Sequence, residues 1–216
     1  MYKIFLTNYE KQELITSFTD TLFLLIISGI FIISIGLTIG LILFYTEKNK
    51  PKTHKIIGII TDTFRSIPFV ILMILLIPVT IFLLGTMIGA KAALPSLILS
   101  ASPFYARLVY NALREIDKGN LEALDAMGCQ PMMKTKYILK ESLPSLISGL
   151  TITLVTLVGF IAASGPIGAG GLGDYAKRKA FAGEYGLMSI GVILILIIVF
   201  TLQLSGDFIV KKIDKR

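Results

Sequence analysis

The sequence has no tryptophan, one cysteine, one histidine and only 14 acidic residues among 216. Cys129 cannot close an intramolecular disulfide, and His54 as its one companion cannot complete a Cys/His metal site. Both are read as incidental. No Gly-Lys pair occurs anywhere, which removes the phosphate loop that would cradle ATP. No cluster of His, Cys and carboxylates offers a catalytic constellation, so the chain is not expected to be an enzyme. Charge of either sign is scarce: charged residues make up 16% and hydrophobic residues 54%, more apolar surface than a soluble domain of this length could bury.

A lipid bilayer is therefore the expected main solvent. The formal net charge of +7 fits Lys and Arg held in loops beside the bilayer. No basic stretch is interleaved with exposed aromatics as single-strand binding would need, which argues against a nucleic acid partner. The first twenty residues carry Glu10, Glu13 and Asp20 and lack a short apolar core before a small-residue cleavage site. They do not resemble a cleaved signal peptide, so the first apolar segment is expected to stay in the mature protein.

A crossing helix needs roughly 20 mostly apolar residues. Leu22–Tyr45 meets this without a charge. Ile56–Leu84 is long, interrupted by Pro68 and Pro78, and carries Asp62 and Arg65 near its start; it can span if tilted or kinked. Ala92–Tyr110 is diluted by Pro95, Ser96, Ser100, Ser102 and Pro103, the composition of a helix facing partners or a wet cavity. Leu146–Ala163 and Leu187–Leu204 complete five expected spans. The fold class is thus all-α and polytopic, with a short N-terminal segment (1–16), a membrane domain (17–208) and a tail (209–216).

Lys48, Lys50, Lys52 and Lys55 lie after the first span, Arg114, Lys118, Lys134, Lys136 and Lys140 after the third, and Lys211, Lys212, Lys215 and Arg216 after the fifth. All three groups fall on one side, which the positive-inside rule makes cytoplasmic. The expected topology is N-terminus outside and C-terminus inside. Lys177, Arg178 and Lys179, in the outer loop Gly165–Gly186, are the one basic cluster against the rule.

The segment 111–143, between the third and fourth spans, is too polar to span and too patterned for an idle connector. Asn120 can cap a helix of about two turns, Glu122 then lies in its first turn, and Gly128 offers a left-handed residue to end it. Pro131 can begin a second helix through Met132, Met133, Ile138 and Leu139 toward Leu143 and Pro144. Two short helices joined at a glycine elbow are expected at the cytoplasmic surface.

Glu122, Ala123 and Gly128, followed by Ile138, resemble the signature of the permease subunits of binding-protein-dependent ABC importers. The signature's second alanine is here Leu124, and Lys140 and Glu141 stand in its Leu-Pro place. Phe64-Arg65-Ser66-Ile67-Pro68-Phe69, Pro103-Phe104-Tyr105-Ala106-Arg107, Glu122 to Gly128 and Gly168 to Gly173 look like the methionine-import branch of that family. The resemblance runs from about Ser17 to Phe208 and implies the type I permease fold of the importers. It implies a homodimer whose copies each grip an ATPase subunit through Glu122, Ala123, Leu124, Ala126, Gly128 and Met132. ATP and its Mg would be bound by that ATPase, with no cofactor in this chain, and a lipid-anchored solute-binding protein would deliver methionine, D or L, from outside. Cargo rests on resemblance alone, so a permease for another small solute remains the alternative.

Other signals weigh less. Gly168, Gly170 and Gly173 match a dinucleotide fingerprint that lacks the strand, helix and acidic residue it needs. With Gly171 they are expected to form an outer loop, possible as an external gate. Pro68, Gly159, Ser164 and Gly165 are candidates for the solute path, at breaks tolerated beside a cavity. Pairing near the inner interface explains Asp62 and Arg65, and close helix packing explains Gly36 with Gly40 and Gly85 with Gly89. A secondary transporter would need an internal repeat and a midplane acid, and the sequence offers neither.

Overall fold

The computed structural model describes residues 7–214, and every regular element among them is a helix. Residues 1–6 of the N-terminal segment, and Lys215 and Arg216 of the basic tail, lie outside the described residues. The first helix, α1 (Asn8–Asn49), starts at a capping box: Thr7 Oγ1 accepts from the Glu10 N–H at 3.3 Å, and a Glu10 carboxylate oxygen accepts from the Thr7 N–H at 2.6 Å. No proline interrupts it, so its 42 residues form one rod of roughly 63 Å. The expected span Leu22–Tyr45 is its middle, and Asn8–Thr16 continue the same helix.

Ile56–Leu84 does not form one kinked rod. It divides into α2 (Pro51–Ser66), α3 (Phe69–Leu75) and α4 (Ile77–Leu84), with α2 and α3 bent by 103°. The cause is local. Pro68 has no N–H to continue α2 and its ring pushes Ile67 out of the helical region, to φ −77° and ψ 123°. Pro78 sits in the first turn of α4, and the α3–α4 break at Leu76 falls just before it, where its missing N–H cannot continue the helix from Ile74. Among the described residues, four helices are long and apolar enough to cross a membrane: α1, α5 (Ala90–Arg114), α8 (Leu143–Ala163) and α10 (Tyr185–Ile213). The fifth crossing exists only if the bent α2–α3 pair counts as one.

α5 is the axis of the bundle. Small residues of α1 let it lie directly on α5: a Cβ at Gly36 would come within 2.7 Å of Tyr105 Cδ1, and one at Gly40 within 2.5 Å of Val109 Cγ1. The serines of α5 are spent inward, with Ser96, Ser100 and Ser102 all buried, so the diluted pattern marks a helix surrounded by protein. Gly85 and Gly89 are different. Nothing lies within 4 Å of a Cβ at either, so they are not a packing face; their φ values of +71° and +100° turn the chain from α4 into α5. The turn is tied across the bundle where the Gly89 N–H donates to the Gly168 carbonyl at 3.1 Å.

The expected outer loop holds a further helix, α9 (Gly171–Phe181), between α8 and α10. Short helices α6 (Lys118–Ala126) and α7 (Pro131–Glu141) lie between α5 and α8, at the opposite end of the bundle. His54 is not incidental, since its Nδ1 lies 3.0 Å from the Leu43 carbonyl oxygen and joins α2 to α1.

Candidate functional site

The elbow at 111–143 forms as two helices, but it starts earlier than Asn120. Asp117 is the cap: its Oδ1 accepts from the Gly119 N–H at 2.6 Å. Ile116, just before the cap, is buried, and Leu121 packs on the same core, a staple that fixes where the chain enters α6. Asn120 and Glu122 therefore fall at the third and fifth helical positions, and Glu122 lies beyond the first turn. At the other end the Met127 N–H reaches Ala123 O at 3.0 Å and the Cys129 N–H reaches Leu124 O at 3.1 Å. The residue between them, Gly128, has φ +66° with open space where a Cβ would stand. Its backbone conformation, not crowding, requires glycine.

Pro131 opens α7 as expected. Lys134 Nζ lies 2.7 Å from each Asp125 carboxylate oxygen, clamping α7 to α6. Tyr45 Oη and Thr135 Oγ1 are 2.7 Å apart, fastening α7 to the C-terminal part of α1. Ile138 is fully buried and Leu124 is nearly so. Among the candidate coupling residues, Glu122, Ala123, Ala126, Gly128 and Met132 are exposed on one tip, while Leu124 points inward as the arm's anchor. That accounts for a leucine in the place of the signature's second alanine: it has an apolar site to fill. Met127, Met132 and Met133 stand 69%, 84% and 61% exposed, a soft apolar surface on the same elbow. Between the elbow and the C-terminal ends of α1 and α5 lies a cleft of about 500 Å³, lined by Tyr45, Glu47, Arg114, Glu122 and Lys134 among others.

The path candidates separate into two places. Pro68 and Gly159 are drawn together, because Phe69 stacks on Phe160 with ring centroids 4.8 Å apart, and both Pro68 and Gly159 are exposed beside that stack. Ser164 is buried and donates to the Ile161 carbonyl at 2.7 Å, and Gly165 packs on Asp174. These two belong to the end of the bundle that carries α9.

At that end the glycine run is a wedge and not a loose turn. The Leu172 N–H donates to Thr21 Oγ1 of α1 at 2.8 Å, Gly173 lies against the Ala162 backbone, and Gly170 lies beside Asp20. A helix does follow the run, contrary to expectation, yet no strand precedes it among the described residues. The basic cluster against the charge rule is largely neutralised here. Arg178 binds Asp174 at 2.9 Å and also Glu13 of α1, while Lys179 binds Glu13 at 3.1 Å and Glu184 at 3.0 Å. Burial pulls the Lys179 ammonium down, but the carboxylates of Glu184 and Glu13 outweigh it and hold the proton above the usual lysine range.

Comparison with known proteins agrees with this geometry. Residues 32–216 match the family described as binding-protein-dependent transport system inner membrane component. The chain is 42% identical to the methionine import system permease protein MetP of Bacillus subtilis (strain 168), covering 100% of both chains. It is 38% identical to a probable D-methionine transport system permease protein MetI of Vibrio cholerae, covering 96% of this chain and 95% of that one. A solved structure of inward-facing conformations of the MetNI methionine ABC transporter contains a chain that superposes with TM-score 0.93 at 38% identity, covering 97% of this chain and 100% of that one. With an exposed elbow on one end of a helical bundle and a family match over most of its length, the chain belongs to the inner membrane components of binding-protein-dependent transport systems.

Proposed function

We propose that this chain is the membrane-spanning subunit of an ATP-driven importer of methionine, working as a homodimer. The observation that carries the reading is the elbow. It presents Glu122, Ala123, Ala126, Gly128 and Met132 outward while Tyr45, Leu124 and Ile138 fasten it to the bundle. A part built this way can be gripped from outside and can pull on α1 and α8. The chain lacks a phosphate loop, so ATP and Mg are handled by a separate ATPase that takes hold of the elbow. ATP binding draws the two ATPase copies together, the elbows follow as rigid levers, and the helices exchange between outward-open and inward-open packings.

The elbow and basic tail lie in the cytoplasm and the α9 end outside. The neutralised Arg178 and Lys179 remove most of the conflict with the charge rule. A solute-binding lipoprotein delivers cargo to that outer end. Methionine as cargo is supported by the names of the relatives, which match along nearly the whole chain.

The test is purification and transport. A tagged chain is expected to bring down an ATP-binding cassette ATPase, and vesicles holding the complex with its binding protein should accumulate radiolabelled methionine only with ATP. Copurification without methionine uptake would leave the permease reading and remove the cargo; failure to copurify an ATPase would remove both.

A further inference from the structure

Asp62 and Arg65 pair as expected, at 3.5 Å. After Lys50 the chain doubles back, and α2 runs along α1 from the contact between His54 and Leu43. Asp62 stands eight residues beyond His54, roughly 12 Å deeper if the helix ran straight in. The Arg65 guanidinium lies 5.7 Å from the centroid of the Phe104 ring, and Tyr105, the next residue, packs on Gly36. Gly36 is nine residues from Tyr45 and fourteen from Leu22, roughly 13 Å and 21 Å from the two ends of the charge-free stretch. The pair lies at the level of the charge-free stretch of α1, the part of the bundle that lipid would surround.

A charge facing lipid at that depth costs several kcal/mol. Yet the pair is open, with side-chain exposure of 52% at Asp62 and 33% at Arg65, and its closest approach is a single contact of 3.5 Å. A carboxylate has about four acceptor sites and a guanidinium five donors, so most of their bonding capacity is unspent on each other. The Asp125–Lys134 clamp shows what a structural staple in this chain looks like, with both carboxylate oxygens held at 2.7 Å. The backbone also breaks here. The 103° bend at Ile67 and Pro68 ends α2 and leaves its last turn of carbonyls without intrahelical partners. Such irregular backbone is tolerated at membrane depth only against protein or a water-filled cavity. The Phe69–Phe160 stack pins the break beside exposed Gly159.

We propose that Asp62 and Arg65, at the α2–α3 break with Phe104 across from them, form a stepping site on the solute path for a zwitterionic amino acid. Asp62 takes the α-ammonium and Arg65 the α-carboxylate, each giving up a long contact with the other for a closer one with the ligand. The pair and the ligand are both neutral overall, so the solute adds no net charge to the membrane interior as it passes. Two opposite charges one helical turn apart match the adjacent poles of an α-amino acid; a neutral sugar offers neither pole. The inference rests on the importer reading above and names the place where that importer holds its cargo in transit.

The test uses vesicles containing the whole complex of permease, ATPase and binding protein, with radiolabelled L-methionine as probe. Arg65→Gln and Asp62→Asn are each expected to lower uptake by about tenfold, the loss of one charge-assisted hydrogen bond, while ATP hydrolysis and the thermal midpoint of the purified complex stay near wild type. The exchanged pair Asp62→Arg with Arg65→Asp rebuilds a staple but sets the poles the wrong way round, and is expected to stay impaired; recovery of wild-type uptake would overturn the proposal. Should a neutral variant fail to assemble, Arg65→Lys keeps the charge and loses the fork. It is expected to raise the KM for uptake with hydrolysis unchanged, and an unchanged KM overturns the site. If the wild-type complex ignores methionine but carries another amino acid, the cargo assignment falls and the same variants are scored with that amino acid. Uptake equal to wild type in all of them would then sink the site alone.

Discussion

The two ends of the bundle are built on opposite plans. At the α9 end, Ala169, Leu172 and Tyr175 have no exposed surface, the Leu172 N–H is held by Thr21 of α1, and Glu13 gathers both Arg178 and Lys179. At the elbow end, methionines stand mostly exposed and the arm is held by one ion clamp, one hydroxyl contact and a few buried side chains. The same residue type serves both plans through different physics. Gly173 is required because there is no room for a side chain, whereas Gly128 is required because of its positive φ in open space. Under the proposed function, a bundle closed at one end and gripped at the other would convert a pull on the arm into motion of whole helices, because packed interiors shift between discrete arrangements and do not stretch.

Substitutions at these two glycines should separate the plans. The largest effect is expected from Gly173→Leu, whose side chain would be driven into the Ala162 backbone. Overpacking costs about 1–3 kcal/mol and more where backbone cannot yield. The thermal midpoint and the yield of the purified complex should both fall, and an unchanged midpoint would show that α9 is not wedged. Gly128→Val should come next, with the opposite signature. Its left-handed strain of about 1–2 kcal/mol falls on an exposed arm, so the midpoint should move little while methionine uptake per ATP hydrolysed drops. Gly128→Asn, better tolerated at positive φ, should lie between. Wild-type uptake by the valine variant would erase the contrast between the ends.

The smallest effect is expected from Asp125→Ala. The Asp125 side chain is 64% exposed and exposed pairs contribute up to about 1 kcal/mol. Uptake should fall slightly at low salt and match wild type at high salt, measured in the same vesicles. A loss that ignores salt would mean that Asp125 touches the ATPase directly and does more than stiffen the elbow.

Much of this was legible along the chain. α1, α8 and α10 declare themselves through long apolar runs, and the elbow through Gly128 and Pro131, because each of those signals is local. The cap of α6 was misassigned because Asp117 and Asn120 are equally good capping residues; burial of Ile116 beside Leu121 chooses between them, and burial is a tertiary fact. α9 was hidden by the glycines at its start. Its signal was charge, with Asp174 in the first turn and Arg178 and Lys179 in the last, as the helix dipole prefers. Gly36–Gly40 and Gly85–Gly89 share one spacing and differ in outcome, since a spacing motif does not say whether a second helix arrives.

Composition and periodicity by themselves determined that the chain is helical, that it lives in a bilayer and that it carries a polar elbow, because those follow from which residues water and lipid will accept. Only the tertiary structure decided that the second apolar stretch breaks at Pro68 by 103°, and that Arg65 comes to rest at the level of Gly36. A proline forbids a straight helix without choosing the angle. That angle comes from the neighbours on α5 and α8 that the broken helix meets, and the level of the Asp62–Arg65 pair from the way α2 packs along α1 and α5 before the break.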